Sequence, residues 1–533
     1  MKSYSQHLKS TREFGEEIHN RFSLTSVTTK KPILRSSGVF PVIQNQHYSS
    51  SIHFLGYWLL KRNIPEVTLV ITLRNADGKT LLKKTEIIDV AKAFSVNLSS
   101  LLLEIDFDTK NNFLGSIETE FHSTKDMVFP YPALVLEYHN EKFNTCVHTL
   151  GRIYNDLEDL KENESFKVPE SGFDIYVNDD LNSFLSFVNG SLPNNEGIIE
   201  YQVTNLNSEK LAGTFNLGHL KPFETKFIEF GKYIQNLSNF LKNNSGSISL
   251  KHNFEGFYPR FLVGTIQSSL PSVSFTHSYY DCTSCSEKTD FWNLNNDTHH
   301  DSSIYIPLFT RNNEYTNLII YPNFSPCNFF VNLELYNKNG EKIHELPKFL
   351  HVDTAESKLH KINFNEIVSK YENNEISCSN IICDFEDNKI PARIKFGLDV
   401  GVYNLKSRLP CNICFNSKMA NPQIENKPGS FHWAPIFPHR NSVITIGNFS
   451  TLKNYQRDSE IEITFFRKED SSTISKKLTL KANCEERIYS NDVDIKQFIK
   501  TEGWVTIKAN NPYIQGFYFN FNQSGSVSGD HFF

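Results

Sequence analysis

Apolar and polar positions alternate in four stretches of the chain, which begin near Val67, Gly197, Asn328 and Asp458. Successive starts lie about 130 residues apart, a period in the range expected of a repeated domain. Alternation with a period of two places every second side chain on one face of a β-strand. Each stretch breaks at a polar turn such as NADG at residues 75–78, where Asn, Asp and Gly supply the turn conformations. The pattern predicts one β-hairpin in each of four copies.

The segments around each hairpin recur in the same order. An apolar strand precedes the hairpin, and a strand that leads into a short helix-like or irregular segment follows it, as in FSVNLSSLL and LHKINFNEIV. Each copy then closes with an aromatic strand and a final short strand. About seven short strands with turns every 8–12 residues are typical of a β-sandwich of immunoglobulin size. The sequence therefore predicts an all-β protein of four tandem β-sandwich repeats, each with a short helical or irregular insertion.

Polar, turn-rich stretches separate the copies, as linkers between packed domains usually do. They predict an N-terminal tail or docking segment and four β-sandwich repeats, over residues 1–37, 38–156, 170–285, 303–418 and 431–533.

Charge and hydropathy narrow the range of partners. The formal net charge is −6, and no block of Lys and Arg is interleaved with aromatic residues, so nucleic acid is not expected as a partner. No window approaches the ~18 apolar residues of a spanning helix, and the first residues lack the apolar core of a signal peptide. Nine cysteines spread over a long chain suit a reducing compartment. We expect a cytoplasmic protein with no transmembrane segment.

The closing strands carry candidate metal ligands. His148, His277 and His531 end three of them, and Cys411 and Cys414 take the corresponding place in the third copy. Imidazole and thiolate are the usual ligands of zinc. A hydrogen-bonded structural role for a repeated His is the competing interpretation.

Two C-x-x-C pairs, Cys282 with Cys285 and Cys411 with Cys414, have the spacing of zinc ligands. They lie in different copies, so a shared zinc requires the ends of copies two and three to meet. Unconnected thiols or a redox pair are the alternatives.

Two further groups are candidate ligand-binding sites. His148, Arg152 and Asp156 form a polar cluster at the end of copy one that suits an anion, although Arg152 could instead pin the linker by a salt bridge. His432 and Trp433 open copy four, where an exposed aromatic would stack on a sugar ring. A buried role for Trp433 in the core or between domains is the alternative.

The sequence leaves several functions open. It contains none of the common local signatures of nucleotide-binding, hydrolase or metalloprotease sites. The leading hypothesis is a non-enzymatic binding or scaffolding protein that presents repeated sandwich surfaces to carbohydrate or a protein partner. The alternative is a metal-dependent enzyme whose site forms between repeats from His and Cys of the closing strands, with zinc as the candidate cofactor. A structural subunit of a larger assembly is a third possibility, and the oligomeric state is open.

Overall fold

The alternating segments form antiparallel strands whose apolar faces meet in pairs of sheets, and four such sandwiches follow one another along the chain. The predicted all-β class with four β-sandwich repeats is confirmed. The computed structural model describes residues 32–148, 151–153, 170–171, 173–242, 244–255, 257–258, 260–280, 291–293, 297–322, 327–371, 375–387, 389–391, 394–403, 407, 409–421, 424–425 and 427–533.

Repeat 1 consists of two four-stranded sheets and two short helices. Its elements are β1 (Arg35–Gln44), β2 (Ser49–Leu55), α1 (Tyr57–Lys61), β3 (Val67–Asn75), β4 (Thr80–Ile88), β5 (Ala93–Asn97), α2 (Leu98–Leu103), β6 (Phe113–His122), β7 (Leu134–His139) and β8 (Asn144–His148). The first sheet has the strand order β1-β6-β3-β4 and the second β5-β2-β7-β8. Gly78 in the β3–β4 turn has a φ of +81°, a left-handed conformation that favours glycine.

Repeat 2 follows the same plan with added short strands. The short strand β9 (Arg152–Ile153) ends repeat 1. The elements of repeat 2 are β10 (Glu170–Ser171), β11 (Asp174–Tyr176), β12 (Leu181–Val188), β13 (Asn194–Asn205), β14 (Lys210–Leu220), β15 (Thr225–Glu229), α3 (Phe230–Tyr233), α4 (Leu237–Leu241), β16 (Ser245–His252), β17 (Phe257–Tyr258), β18 (Leu262–Gln267), β19 (Ser272–His277) and β20 (Tyr279–Tyr280). The first sheet runs β14-β13-β16-β10-β20, with β11 also paired to β16, and the second runs β15-β12-β18-β19.

Repeat 3 repeats this arrangement. Its elements are β21 (Phe291–Asn293), β22 (Ser302–Pro307), β23 (Glu314–Ile320), β24 (Phe329–Asn337), β25 (Lys342–Val352), β26 (His360–Asn363), α5 (Phe364–Val368), a 3-10 turn (Ser369–Tyr371), β27 (Ile376–Phe385), β28 (Lys389–Pro391), β29 (Lys395–Val402), β30 (Cys411–Asn416) and β31 (Lys418–Met419). The sheet orders are β25-β24-β27-β22-β31 and β26-β23-β29-β30. Asn363 starts α5, because its side chain accepts hydrogen bonds from the backbone N–H groups of Asn365 and Glu366.

Repeat 4 completes the series. Its elements are β32 (Ser430–Ile436), a 3-10 turn (Pro438–Arg440), β33 (Ser442–Asn448), β34 (Ser459–Arg467), β35 (Thr473–Leu480), β36 (Glu485–Tyr489), α6 (Val493–Phe498), β37 (Gly503–Ala509), β38 (Ile514–Phe521) and β39 (Val527–His531). The sheet orders are β32-β37-β34-β35 and β36-β33-β38-β39. The helices after β5, β15, β26 and β36 are the insertions that the sequence predicts.

One hydroxyl group near the start of the second sheet recurs in all four repeats and fixes the alignment between them. The hydroxyl oxygen accepts a hydrogen bond from the backbone N–H of one residue, and the O–H donates to the backbone carbonyl of the same residue. That residue lies near the end of the preceding first-sheet strand. We call this hydroxyl group the hydroxyl bridge; its members are Ser50, Ser183, Thr316 and Ser442. Strand register counted from this residue identifies equivalent positions in the other strands.

The final strands of the second sheets, β8, β19, β30 and β39, meet at the centre of the molecule, and we call them the central junction. Each contacts two others in the cyclic order β8, β19, β30, β39 and back to β8. Repeat 4 therefore packs against repeat 1, and one apolar core extends through both, from Phe54 to Ile444. The four repeats form a closed ring.

Candidate functional site

Hydrogen bonds from backbone N–H groups to polar side chains join strands of the central junction. The final strand of each second sheet has one edge without a paired neighbour in its own sheet, and such edges require partners when they are buried. Between repeats 1 and 4, the backbone N–H of His148 donates to Asp530 Oδ2 at 2.9 Å. Between repeats 2 and 1, the backbone N–H of Phe275 donates to Thr145 Oγ1 at 3.1 Å. The junction is thus closed by side chains rather than by a continuous backbone ladder.

Three imidazoles from three repeats pack together at this junction. The ring of His148 lies 4.6 Å from that of His277 and 4.4 Å from that of His531, measured between ring centroids. His148 Nδ1 donates to Asp530 Oδ2 at 2.7 Å. Candidate ligand atoms of His148, Asp530 and His531 all lie within 4.8 Å of one another. The ring closure brings together residues that the sequence predicted separately.

These imidazoles occupy one position of the repeat. Three residues after the hydroxyl bridge, the second-sheet strands hold His53, Ser186, Ile319 and Thr445. These residues pair with Val135, Leu262, Gly397 and Phe517 in the neighbouring strand. Those in turn pair with His148, His277, Cys414 and His531 in the closing strands. Cys414 is therefore the repeat 3 equivalent of the three histidines, and it is 1% exposed.

Electrostatics favours different charge states for the members of this cluster. Burial would raise the pKa of Asp530, but His148 overcomes this effect and holds it below its ordinary value. Burial, followed by the nearby Arg260 and His148, lowers the pKa of His277 well below its ordinary value. Asp530 is therefore ionised and His277 neutral at pH 7. Sequence reasoning did not select Asp530, although it directly precedes His531.

The other predicted ligand residues lie in packed environments. Arg152 is 2% exposed and belongs to β9, which pairs with β17 of repeat 2. Trp433 is 5% exposed and its ring stacks on Tyr57 and Phe533, with centroids 4.7 and 5.8 Å away. His432 Nδ1 lies 3.1 Å from the carbonyl oxygen of Phe533. Trp433 thus packs between repeats 4 and 1, which matches the alternative that the sequence left open.

The structure describes one of the two C-x-x-C pairs, Cys411 with Cys414. Cys411 is 2% exposed and belongs to the apolar core of repeat 3, and burial raises the pKa of its thiol. Asp156, Cys282 and Cys285 lie outside the described residues. The zinc site predicted between the two C-x-x-C pairs therefore stays a prediction.

A buried ion-pair cluster that the sequence did not indicate joins repeats 4 and 1. His53 Nε2 lies 2.8 Å from Glu137 Oε2, and His53 Nδ1 lies 3.4 Å from Glu502 Oε2 of repeat 4. Burial alone would lower the pKa of His53, but the two carboxylates raise it to about 9. Burial would likewise raise the pKa of Glu137, but neighbouring His139 and His53 hold it well below its ordinary value. The pair is charged at pH 7.

A pair of buried carboxyl groups, Asp174 and Asp399, lies at the joint between repeats 2 and 3. Asn412 Nδ2 donates to Asp399 Oδ1 at 2.7 Å, and the Tyr176 hydroxyl donates to Asp174 Oδ2 at 3.3 Å. Burial and the adjacent Asp399 raise the pKa of Asp174 well above its ordinary value, and burial also raises that of Asp399. Asp174 Oδ1 and Asp399 Oδ2 are buried without a hydrogen-bond donor, and two buried carboxyl groups so placed cannot both ionise readily. They line a cavity of about 20 Å³, room for about one water.

Comparisons with known proteins add little. No family model and no curated protein matches the chain. Among solved structures, one titled "Crystal structure of tetra-tandem repeat in extending region of large adhesion protein" aligns with 88% of this chain and 91% of that chain. At 9% identity and a TM-score of 0.11, this similarity carries no argument. Within the described residues, no helix has the length and apolarity needed to span a membrane.

Proposed function

We propose that the protein is a non-enzymatic scaffold whose four repeats present equivalent surfaces to a protein partner. The observation that carries the proposal is the location of the chemically capable residues. His148, Asp530, His53, Glu137 and Asp399 are all less than 9% exposed and join one repeat to the next. Because these groups are buried between repeats, they are not available to a partner. We therefore place the partner-binding surface on the outside of the ring.

The β3–β4 hairpin and its equivalents β13–β14, β24–β25 and β34–β35 supply that surface. We call these the outer hairpins. Their second strands lie at the end of each first sheet and alternate between exposed and half-buried positions along most of their length. These strands carry Pro347 and several lysines, which disfavour unspecific pairing with the strands of other chains. Each repeat of the ring thus has one such strand at the edge of its first sheet.

Charge suggests the chemistry of the partner. Each of these four edge strands carries more Lys than Asp and Glu, although the chain as a whole has a formal net charge of −6. In repeat 4, β35 contains Lys476 and Lys477 and no carboxylate. An acidic, extended segment of a protein is the partner that this charge attracts. Four copies fixed in one ring would bind a repeated acidic partner with avidity.

The alternative of a metal-dependent enzyme at the central junction has less support. A catalytic metal keeps a coordination position open to substrate. His148 is 7% exposed and His277 is 1% exposed, so the surrounding repeats restrict access to the cluster. Detection of turnover that depends on an added metal would favour this alternative.

A cytoplasmic location remains part of the proposal. Several cysteines of the described chain are free and buried, among them Cys146, Cys378, Cys383, Cys411 and Cys484. Free thiols support a reducing compartment, where disulfides are rare. Imaging of a tagged chain in its own cell would test the location.

Binding of acidic peptides to the full chain tests the partner class. We expect poly-glutamate peptides to bind more weakly as salt rises, in a fluorescence polarisation assay. The K476E/K477E variant should bind several-fold more weakly than the parent chain, whereas the K496E/K500E variant changes the charge equally on exposed residues outside the outer hairpin. Equal losses in both variants, or binding on a glycan array without peptide binding, would contradict the proposal.

A further inference from the structure

The joint between repeats 2 and 3 has less apolar packing than the other joints of the described chain. One apolar core extends through repeats 4 and 1, and a second extends through repeats 3 and 4. The core of repeat 2 also includes side chains of repeat 1. Across the joint between repeats 2 and 3, the described residues form a small cluster, in which Leu206 of repeat 2 packs against Ile319, Tyr321 and Leu359. Burial of apolar surface therefore stabilises this joint least.

Two buried carboxyl groups face each other across the same joint. Asp174 lies on β11 of repeat 2 and is 8% exposed, and Asp399 lies on β29 of repeat 3 and is 1% exposed. One oxygen of each accepts a hydrogen bond within its own repeat, from the Tyr176 hydroxyl and from Asn412 Nδ2 respectively. The other two oxygens, Asp174 Oδ1 and Asp399 Oδ2, have no donor, and both residues line the cavity at this joint.

A proton on either carboxyl group supplies the donor that the joint lacks. A protonated carboxyl group donates one hydrogen bond, and the free oxygen of the other group can accept it. Two buried carboxylates instead repel each other, and neither is solvated by water. The contact between Asp174 and Asp399 therefore holds the two repeats together only while the pair retains a proton.

The surroundings of the pair do not remove this dependence on protonation. Within the described chain, the other titratable groups that interact with the pair are Tyr176, Tyr315, Tyr321, Cys411 and Lys361. Burial raises the pKa of the three tyrosines and of Cys411, so these groups are neutral. Burial also raises the pKa of both carboxyl groups, and the positive charge of Lys361 opposes this shift from an exposed position, where water screens it.

We propose that the joint between repeats 2 and 3 is a pH-sensitive switch, which is closed while Asp174 and Asp399 hold one proton between them and opens when both ionise. Opening separates Leu206 from its cluster and breaks the hydrogen bond that Ser274 Oγ donates to the carbonyl oxygen of Pro410 at 2.6 Å. The other joints retain their larger apolar cores, so the ring opens at one place. The strands β19 and β30, which contact each other at the central junction, are then uncovered.

Hydrogen–deuterium exchange of the full-length chain, measured by mass spectrometry at pH 5 to 8, is the first test. The segments around Leu206 and Leu359 should lose protection as pH rises, because both are covered only while the joint is closed. After correction for the intrinsic exchange rate, exchange there should rise by up to about tenfold per pH unit, since opening releases one proton. Exchange in these segments that is independent of pH after this correction would overturn the proposal.

Comparison with D399N at the same pH assigns the effect to the carboxyl pair. The amide of this variant carries no charge, and its N–H group can donate to the free oxygen of Asp174 at any pH. At pH 8 the segments around Leu206 and Leu359 should therefore be more protected in D399N than in the parent chain, whereas at pH 5 the two should be alike. D174N removes the same charge from the other side of the joint and should give the same result, so a folding defect in one variant leaves the other as a test.

D384N is the matched control, because Asp384 is an exposed carboxylate of the same repeat. It should exchange as the parent chain does. The strands β8 and β39, at the joint between repeats 1 and 4, provide a comparison within each sample and should stay protected at pH 8. Equal protection of the parent chain and D399N at pH 8, or a loss of protection that is the same at both joints, would contradict the proposal. Circular dichroism at pH 8 separates opening of the joint from loss of the fold.

Discussion

Repeats 1 and 3 carry a buried carboxyl group at the same position, yet the pKa values of the two groups are shifted in opposite directions. Glu137 pairs across the sheet with Ser51, and Asp399 pairs with Asn317, each one residue after the hydroxyl bridge. Glu137 faces His53 and is ionised, whereas burial raises the pKa of Asp399 and of Asp174, which faces it. The same backbone position thus supports a pair of opposite charges at one joint and a pair of carboxyl groups at another.

The neighbouring repeat places different side chains beside Glu137 and Asp399, and these side chains explain the difference between the two groups. Repeat 4 contributes Glu502 to the joint with repeat 1, where a second carboxylate helps to keep His53 protonated. Repeat 2 contributes Asp174 to the joint with repeat 3, where two carboxylates cannot both ionise. Each joint therefore has its own electrostatics, which specifies which repeats adjoin.

The largest effect is expected from E137Q. The substitution removes the charge that holds His53 in its protonated form, and breaking a buried ion pair costs about 3 kcal/mol or more. Chemical denaturation at pH 7 should show this loss of unfolding free energy. E141Q is the control, because Glu141 is an exposed carboxylate nearby. It should change the free energy of unfolding by less than about 0.5 kcal/mol. A loss below about 1 kcal/mol in E137Q would show that the charged pair is unimportant.

The pH dependence of stability should differ between the parent chain and H53Q. The pKa of His53 rises from its ordinary value of 6.5 to about 9 on folding, so its stabilisation is complete below pH 6.5 and is lost as pH rises through 9. The shift corresponds to about 3 kcal/mol at most. Chemical denaturation at pH 6, 7.5 and 9.5 should show that the free energy of unfolding of the parent chain declines as pH rises. The decline should be smaller in H53Q. Parallel curves would contradict the assigned charge of His53.

A smaller effect of opposite sign is expected from D399N. Because the pKa of Asp399 is raised on folding, the folded chain retains a proton that the unfolded chain releases above pH ~4, and stability falls as pH rises. D399N removes this cost and should raise the free energy of unfolding at pH 8, with little change at pH 4. D384N, at an exposed position, is the control. Destabilisation of D399N at pH 8 would show that repeat 3 requires the negative charge.

The smallest effect concerns the feature that the two repeats share. S50A and T316A each remove the hydroxyl bridge, which makes two hydrogen bonds to the backbone. Each should cost about 1–2 kcal/mol, with T316A the larger because it also removes a methyl group. Melting curves of both variants and of S100A, at an exposed position, provide the measurement. A difference above about 2 kcal/mol between S50A and T316A would contradict the equivalence of the repeats.

The sequence predicts the strands and the repeat because both are local. Alternation and the turn at Gly78 depend on neighbours in the chain, and the recurrence of His148 at His277 and His531 follows from the repeat itself. Contacts between repeats depend on how whole sandwiches pack, and no local pattern encodes that packing. The proximity of Asp174 and Asp399 follows from the packing of repeat 2 against repeat 3, so sequence reasoning could not select them.

The same limit applies within the candidate sites. His53 and Glu137 lie in apolar strands of repeat 1, where an isolated polar residue gives no indication of its partner. Trp433 was proposed as a sugar-binding residue or as a buried one, and only the position of Tyr57 in another repeat distinguishes the two. Asp530 could have been found from its place beside a repeated histidine.

The closed ring also affects how the chain folds while it is being translated. The bond between His148 and Asp530 joins residues 382 positions apart in the chain. At the usual rate of translation, roughly 20–75 s would pass between the emergence of the two residues from the ribosome. Repeat 1 can fold early, but the outer face of its second sheet stays uncovered during that interval. We therefore expect that face to be the part of the nascent chain most exposed to aggregation until repeat 4 has been made.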